Sequence, residues 1–260
     1  VYLMKNRRGE VLYIGKAANI RRRVSSYFER PHEYRIQKMV GEIRSIEYKK
    51  TDTAIEALIL ESKLIKQYQP PYNVLEKDDT SFLSVEITRE KFPRVLLVRG
   101  KDPASGIRYG PFISAGSIRE ALRIIRKIFP WSTHPPREIG KLARPCFEAG
   151  IGLCPGTCVG AIDRRAYAKT IRNIKLFFEG GKTRIIKSLM RDMKAASRAL
   201  EFEKAARLRR QIFSLKHIQD IALIKDDDLR QTTNDIRLTI YRIEGYDISN
   251  ISGTSAVGSM

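Results

Sequence analysis

The sequence has 260 residues, of which 42% are hydrophobic, and it carries a formal net charge of +20. That length and apolar content suffice for two or more domains, and the charge predicts a polyanionic partner, most simply a nucleic acid. A basic protein whose charge only keeps it in solution is the alternative. The sequence contains no run of about 18 apolar residues, so we expect no membrane span. Three cysteines within 13 positions do not fit a secreted disulfide scaffold, so we expect a cytoplasmic protein.

The first 27 residues predict a β-hairpin that leads into a basic helix. Val1–Met4 and Val11–Ile14 are short apolar runs separated by the turn residues Asn6–Gly9. Gly15 ends the second strand, and Asn19 is a candidate helix cap. Phenols, an ammonium and guanidiniums can converge here and would suit a phosphodiester, whose negative charge grows as it is cleaved. These candidate site residues are Tyr2, Tyr13, Lys16, Arg23 and Tyr27.

A third strand and a long helix follow. Residues 45–50 alternate like a strand. Thr53 with Glu56 forms a capping box for a helix over Ala54–Tyr68, which Pro70 and Pro71 stop. Glu61 lies within the apolar stripe of this helix. Burying a carboxylate there is costly unless it pairs with an arginine or binds a metal, and we favour the metal.

These segments together resemble a GIY-YIG nuclease domain of the kind found in the UvrC family. The resemblance rests on Val1-Tyr2, on Tyr13-Ile14-Gly15-Lys16-Ala17, and on Asn19-Ile20-Arg21 followed by Arg23 and Tyr27. The leading glycine of the family's first motif has no counterpart before Val1. Asn73 matches the family's terminal asparagine, although it can instead satisfy the turn with its side-chain amide.

The resemblance implies roles for these residues. Glu61 would hold one divalent ion, Mg²⁺ or Mn²⁺, and Tyr13 would take a proton from the attacking water. Arg23 and Lys16 would stabilise the transition state, while Tyr2 and Tyr27 would orient phosphate and water. The cations expected to contact DNA are Lys16, Arg21, Arg22 and Arg23.

The function implied is that of a metal-dependent DNA endonuclease in bacterial nucleotide excision repair. It would incise damaged double-stranded DNA 3′ of the lesion, in complex with UvrB. A free-standing GIY-YIG nuclease is one alternative, and a non-catalytic DNA- and UvrB-binding adaptor is another. The cysteine cluster and helical hairpin described below count against the first alternative, and the full set of site residues counts against the second.

The next segment, residues 79–160, predicts a small α+β linker domain. Phe82–Thr88 and Arg94–Val98 alternate like strands, Tyr109–Phe112 has the composition of a turn, and Ser117 with Glu120 forms a second capping box. This unit resembles the linker domain of UvrC proteins. We interpret it as a scaffold with a DNA-facing surface.

A cysteine cluster ends this linker domain. Cys146, Cys154 and Cys158 lie among glycines and prolines, and three thiolates need a fourth ligand to hold zinc or a 4Fe-4S cluster. The UvrC resemblance implies a further cysteine, and His134 stands in its place. We hypothesise that His134 completes a 4Fe-4S site. Zinc and three free buried thiols are the alternatives.

Residues 161–222 predict helices, including an antiparallel pair at Lys182–His217. The pair resembles the UVR motif, at about 183–218, through which UvrC proteins contact UvrB; an ordinary charged hairpin is the alternative. The candidate contact residues are Phe202, Ala205, Ala206 and Arg209.

The last segment, residues 236–260, resembles the start of an RNase H-like nuclease domain. Asp247 would be its first metal-binding carboxylate, and one carboxylate makes an incomplete second site. The sequence therefore predicts an α+β multidomain protein with a nuclease domain at 1–78 built on a small mixed sheet, a linker domain at 79–160, a helical region at 161–222 and the segment 236–260.

Overall fold

The computed structural model describes residues 1–29, 31–73, 82–100 and 106–218, together with two strands at 247–251 and 255–259. These residues form small antiparallel sheets that do not pair with one another, together with α-helices, so the predicted α+β multidomain class is confirmed. Among the helices in these ranges, none is long and apolar enough to cross a membrane.

The first sheet consists of β1 (Tyr2–Lys5), β2 (Val11–Gly15) and β3 (Ser45–Tyr48) in the order β2-β1-β3. The predicted hairpin and third strand are confirmed. The prediction of a mixed sheet is wrong, because both pairings in this sheet are antiparallel. The strands β2 and β3 run in the same direction, but β1 lies between them, so they do not pair with each other.

Three helices accompany this sheet: α1 (Ile20–Glu29), α2 (Tyr34–Glu42) and α3 (Ala54–Tyr68). The predicted caps of α1 and α3 are confirmed. Asn19 Oδ1 accepts from the Arg22 N–H at 3.0 Å, and Thr53 Oγ1 accepts from the Glu56 N–H at 3.2 Å. The helix α2 was not predicted from the sequence.

Alternate residues of β1 face opposite sides of the sheet, as a strand requires. Val1 and Leu3 pack with residues of α3, including Leu64. Tyr2 and Met4 pack on the other side with Tyr27 of α1 and with Met39 and Ile43 at α2. The sheet is therefore covered on both faces, and Tyr2 lies on the face that α1 covers.

The second sheet consists of β4 (Leu83–Thr88), β5 (Val95–Arg99) and β6 (Gly106–Phe112), in the order β5-β4-β6, and precedes α4 (Ala115–Ile128). The two predicted strands are confirmed. The turn predicted at Tyr109–Phe112 is wrong, because these residues belong to β6. Pro111 is tolerated there beside an irregularity in the pairing with β4. The helix begins earlier than predicted, since Ser114 rather than Ser117 is its N-cap.

The remaining helices are the short α5 (Phe147–Gly150), α6 (Arg164–Phe178), α7 (Lys182–Arg198) and α8 (Phe202–Lys216). The helices α7 and α8 form the predicted pair, and their apolar residues share one core with α4 and α6. Gln211 of α8 donates to the carbonyl of Ile128 at 2.9 Å. Lys182 of α7 forms an ion pair with Glu56 of α3 at 2.9 Å. The base of the helix pair is thus attached to both preceding domains.

The strands β7 (Asp247–Ile251) and β8 (Ser255–Ser259) pair antiparallel, with Asp247 opposite Ser259. Residues 236–246 of the predicted RNase H-like segment lie outside the described residues. The assignment of this segment and the metal-binding role of Asp247 stay predictions.

Candidate active site and metal centre

A cluster of three phenols and one guanidinium lies where β1, β2 and α1 meet. The hydroxyls of Tyr2 and Tyr27 lie 3.2 Å apart, and Arg23 donates to Tyr27 at 3.1 Å and to Tyr2 at 3.4 Å. The ring of Tyr13 lies 6.1 Å from that of Tyr2 and 6.0 Å from that of Tyr27. Arg23 and Tyr27 are neighbours because they stand four residues apart on one helix. Four residues named from the sequence are therefore brought together.

Gly15 allows this cluster to form. A Cβ at this position would lie 2.5 Å from the hydroxyl of Tyr2 and 2.6 Å from its Cζ. Tyr2 is fully buried and cannot move away easily. Position 15 therefore requires a glycine, because a side chain there would collide with Tyr2.

Burial controls the protonation of this cluster. It raises the pKa of Tyr2 well above its ordinary value, and the nearby phenols of Tyr13 and Tyr27 raise it further. The pKa of Tyr13 is raised by burial, by its interaction with Tyr27 and by the charge of Glu61. Burial works to lower the pKa of Arg23, but Tyr2 and Tyr27 outweigh this effect and raise it. At neutral pH Tyr2 and Tyr13 are therefore neutral phenols, and Arg23 carries a permanent positive charge.

Glu61 lies on α3 with only 7% of its surface exposed. Its electrostatic effect on Tyr13 connects it to the phenol cluster. A single buried carboxylate beside hydroxyl groups suits a hard divalent cation such as Mg²⁺, which keeps several of its own waters.

Among the cations named from the sequence, Lys16 is half-buried just after β2, and Arg21 and Arg22 lie exposed on α1.

Asn73 contacts the backbone of β2. Its Oδ1 accepts from the Ile14 N–H at 2.6 Å, and its Nδ2 donates to the Ile14 carbonyl at 2.7 Å. The amide is thus fully used in holding the residue between Tyr13 and Gly15. This contact gives Asn73 a positioning role for the strand.

A second cluster consists of His134, Cys146, Cys154 and Cys158, whose ligand atoms all lie within 4.8 Å of one another. The three cysteines form no disulfide. The sequence therefore predicted correctly that His134 lies beside the thiols, although the two parts are separated by twelve positions.

The imidazole of His134 is oriented toward ligation. Its Nδ1 lies 3.3 Å from Oε2 of Glu138, while its Nε2 is buried without a hydrogen-bond partner. A carboxylate on one ring nitrogen and a free second nitrogen are typical of a metal-binding histidine. The four side chains fit either zinc or an iron–sulfur cluster.

The thiols differ in acidity. Burial raises the pKa of Cys146 to about 11. Burial also acts to raise the pKa of Cys158, but hydrogen bonds from the backbone and side chain of Cys146 and from the Val159 N–H lower it. A metal would replace these contacts by binding the thiolates.

The cysteine loop is fastened to α4 by residues that sequence reasoning missed. Arg126 donates to both carboxylate oxygens of Glu148 at 2.8 and 2.7 Å, and to the carbonyls of Trp131 and Leu153. Thr133 also donates to Glu148 at 2.8 Å. Neither Arg126 nor Glu148 stands in a motif. Only their opposite charges were visible in the sequence.

The helix pair carries a groove of about 590 Å³ that contains all four predicted contact residues. It is lined by Met193, Lys194, Ser197, Arg198, Phe202, Ala205, Ala206 and Arg209. Phe202 is 64% exposed, an unusual state for a large aromatic side chain.

The sheet, the phenol cluster and the buried carboxylate are consistent with one class of domain, the GIY-YIG class. The sequence profile of the UvrC-like GIY-YIG domain matches residues 1–74. The profile of the UvrC/Cho excinuclease middle domain matches residues 82–177, and that of the UvrB/uvrC motif matches residues 183–218.

Full-length relatives agree with these matches. The chain is 42% identical over 232 residues to UvrABC system protein C of Moorella thermoacetica, covering 88% of this chain and 38% of the relative. It is 43% identical over 220 residues to the proteins of the same name from Methanothermobacter thermautotrophicus and Carboxydothermus hydrogenoformans, covering 85% and 84% of this chain and 37% and 36% of the relatives. The chain belongs to the UvrC family, and it spans less than half the length of these relatives.

Proposed function

We propose that this chain is a metal-dependent DNA endonuclease of nucleotide excision repair, which incises damaged double-stranded DNA 3′ of the lesion together with UvrB. The observation that carries the proposal is the cluster of Tyr2, Tyr13, Arg23 and Tyr27 beside the buried carboxylate of Glu61. It would act in the cytoplasm, where its cysteines stay reduced.

Each side chain has a distinct task in this proposal. A Mg²⁺ or Mn²⁺ ion at Glu61 would supply positive charge at the scissile phosphate. Arg23, charged at all relevant pH values, and Lys16 stabilise the negative charge that develops there. Tyr27 orients the phosphate or the water, while the fully buried Tyr2 acts as a positioning residue for Tyr27 and Arg23.

Tyr13 is the proton acceptor in this proposal. Tyr13 accepts this proton as its phenolate, which forms when its own proton passes to solvent water. Because the charge of Glu61 helps to raise the pKa of Tyr13, this carboxylate makes the phenolate scarcer but a stronger base. Tyr13 and Glu61 therefore act as a pair. Arg23 has the opposite effect, since its charge favours the phenolate of Tyr13.

Nicking of a lesion-containing duplex in the presence of UvrB and Mg²⁺ tests the proposal. Glu61→Gln keeps the shape of the side chain but removes its charge, so we expect nicking to fall by at least about a hundredfold. DNA affinity should stay within about twofold of the unaltered chain, because one carboxylate does not contact the phosphate backbone. Glu29→Gln, at an exposed position on α1, is the matched control. Normal turnover by Glu61→Gln would remove Glu61 from the mechanism.

We also propose that Cys146, Cys154, Cys158 and His134 hold a 4Fe-4S cluster. The free, buried Nε2 of His134 supports a fourth ligand, and its orientation by Glu138 supports ligation through that atom. Zinc is the competing occupant, since three cysteines and one histidine serve it as well. Iron would give a brown protein, and zinc a colourless one.

The groove on α7 and α8 is our candidate for the UvrB contact. Phe202→Ala combined with Ala206→Glu removes an exposed aromatic anchor and places a charge among apolar contacts. We expect calorimetry to show UvrB affinity lowered by at least about tenfold, with an unchanged melting temperature of the nuclease domain. Unaltered UvrB affinity would refute the assignment.

A further inference from the structure

A row of four cations runs along one side of α7. Lys187, Arg191, Lys194 and Arg198 are spaced by four, three and four residues, which places them on one helix face. With Met190 and Ala195 they line a shallow groove of about 470 Å³. The row is about 16 Å long, given the rise of about 1.5 Å per residue.

These four cations are exposed and form no ion pair with any residue in the described part of the chain. Two other cations of this region are paired: Lys169 with Asp192 at 2.6 Å, and Lys204 with Glu201 at 2.7 Å. Asp192 is the only acidic residue on α7, and its pairing with Lys169 of α6 leaves the row without a counter-charge from its own helix. The row is a concentrated positive surface.

The composition of the row distinguishes it from the neighbouring groove. Protein interfaces are depleted in lysine at their centres and rich in aromatic residues. The neighbouring groove shares Lys194 and Arg198 with the row, but it adds Met193 and the exposed aromatic ring of Phe202. The row offers only Met190 as a large apolar side chain among four cations. A polyanion therefore fits the row better than a protein surface does.

We propose that this row on α7 binds the sugar-phosphate backbone of duplex DNA, independently of base sequence. The inference rests on the proposed function for the identity of the polyanion, since DNA is the substrate proposed there. A row of this length corresponds to roughly five phosphates of one strand, at about 3.4 Å per nucleotide along the helix axis. The helix pair then has two adjoining surfaces, one for DNA and one for the protein partner, which share Lys194 and Arg198.

The test uses two residues that line this groove but not the neighbouring one, Lys187 and Arg191. The variant Lys187→Gln/Arg191→Gln is compared with Arg207→Gln/Arg210→Gln. The second variant also removes two positive charges, but from exposed positions on α8. Affinity for an undamaged fluorescent duplex is measured by anisotropy over a range of salt concentrations, with EDTA and without UvrB.

We expect the first variant to lose about tenfold in affinity and to lower the magnitude of the slope of log K against log salt by about two, because two phosphate contacts are removed. The control should keep the slope of the unaltered chain. Equal losses in both variants would mean that charge acts diffusely, and no loss in either would mean that DNA does not contact the row. Both results overturn the proposal.

A second measurement separates the two classes of partner. UvrB affinity of Lys187→Gln/Arg191→Gln should match that of the unaltered chain in calorimetry. Lowered UvrB affinity with unchanged DNA affinity would assign the row to the protein partner and overturn the proposal. The DNA measurement involves no cleavage, so failure of the unaltered chain to nick DNA would count against the proposed function alone. The proposal for α7 is decided by the salt slopes of the two variants.

Discussion

The phenol cluster and the cysteine cluster are built in opposite ways. Tyr2, Arg23 and Tyr27 stand on regular strands and helices, and their hydroxyls and guanidinium bond to one another. The cysteines stand in a loop with only short helical turns, and the Nε2 of His134 has no hydrogen-bond partner. The phenol cluster forms hydrogen bonds among its own members, whereas the cysteine cluster leaves the buried Nε2 of His134 without a hydrogen-bond partner.

This difference indicates where a bound ion matters for folding. A buried polar group without a hydrogen bond costs roughly 1–3 kcal/mol, which a ligand bond to the same atom removes. If the cysteine loop holds the proposed ion, its stability should therefore depend on that ion, as in structural metal sites. The phenol cluster should keep its geometry without an ion and need one only for cleavage.

The largest effect expected from breaking the phenol cluster comes from Gly15→Ala. The new methyl group must displace Tyr2, and a shift of about 1 Å in a catalytic group can reduce the rate about a hundredfold. Nicking assays and thermal unfolding should show a loss of activity much larger than the loss of stability, which overpacking sets at about 1–3 kcal/mol.

Gly41→Ala is the matched control for this change. Gly41 lies in α2 with open space at its Cβ position, so alanine there should leave activity unchanged and stabilise the helix by up to about 1 kcal/mol. Full activity of Gly15→Ala would show that Tyr2 need not stand where the structure has it.

The next effect concerns the fourth ligand of the cysteine cluster. His134→Ala should lower the metal content of protein purified without oxygen, while His134→Cys should retain it, because only the second variant replaces the ligand atom. Iron, sulfide and zinc analysis with visible absorption measures both variants. Equal metal content in all three proteins would make His134 a bystander.

The smallest effect concerns the contact that fastens the cysteine loop to α4. Glu148→Gln breaks the bidentate contact with Arg126, and because Glu148 is partly exposed we expect a loss of about 1 kcal/mol in the free energy of unfolding. Glu120→Gln, which breaks the more exposed pair with Arg123 on the same helix, should change stability less.

The pH dependence of stability checks the same contact. The hydrogen bonds from Arg126 lower the pKa of Glu148 in the folded state. Its contribution is therefore present above the ordinary carboxyl pKa and is lost as the pH falls through the lowered value. Glu148→Gln should flatten this acid limb of the stability curve. An identical limb in the variant would mean that Glu148 does not contribute.

Local signals explain which elements could be predicted. The helix α3 was predicted from its first to its last residue because Thr53 caps it and two prolines follow it. The helix α2 was missed because Glu33, at its N-cap position, forms no side-chain cap bond, and Met39 is its only fully buried residue. In β6, the turn-like composition around Gly110 and Pro111 was overridden by pairing with β4.

The candidate sites divide in the same way: a contact within one helix could be predicted, whereas contacts between residues far apart in the sequence could not. Motif spacing placed Arg23 and Tyr27 together because both stand on one helix. The contact between Arg126 and Glu148 joins residues 22 positions apart, and that between Asn73 and Ile14 joins residues 59 positions apart. Such contacts depend on how elements pack, so they carry no periodic signal in the sequence.

The contact of Asn73 with Ile14 has a consequence for the association of one copy of the domain with another. The strand β2 lies at the edge of its sheet, where its outer backbone groups would otherwise be open to pairing with another chain. Tyr72 donates to the carbonyl of Leu12 at 3.1 Å, and Asn73 bonds to both backbone groups of Ile14. Residues 72 and 73 thereby occupy backbone groups on the outer edge of β2 that would otherwise be open to pairing. Closing this edge hinders edge-to-edge pairing between copies of the domain, which is a route to aggregation.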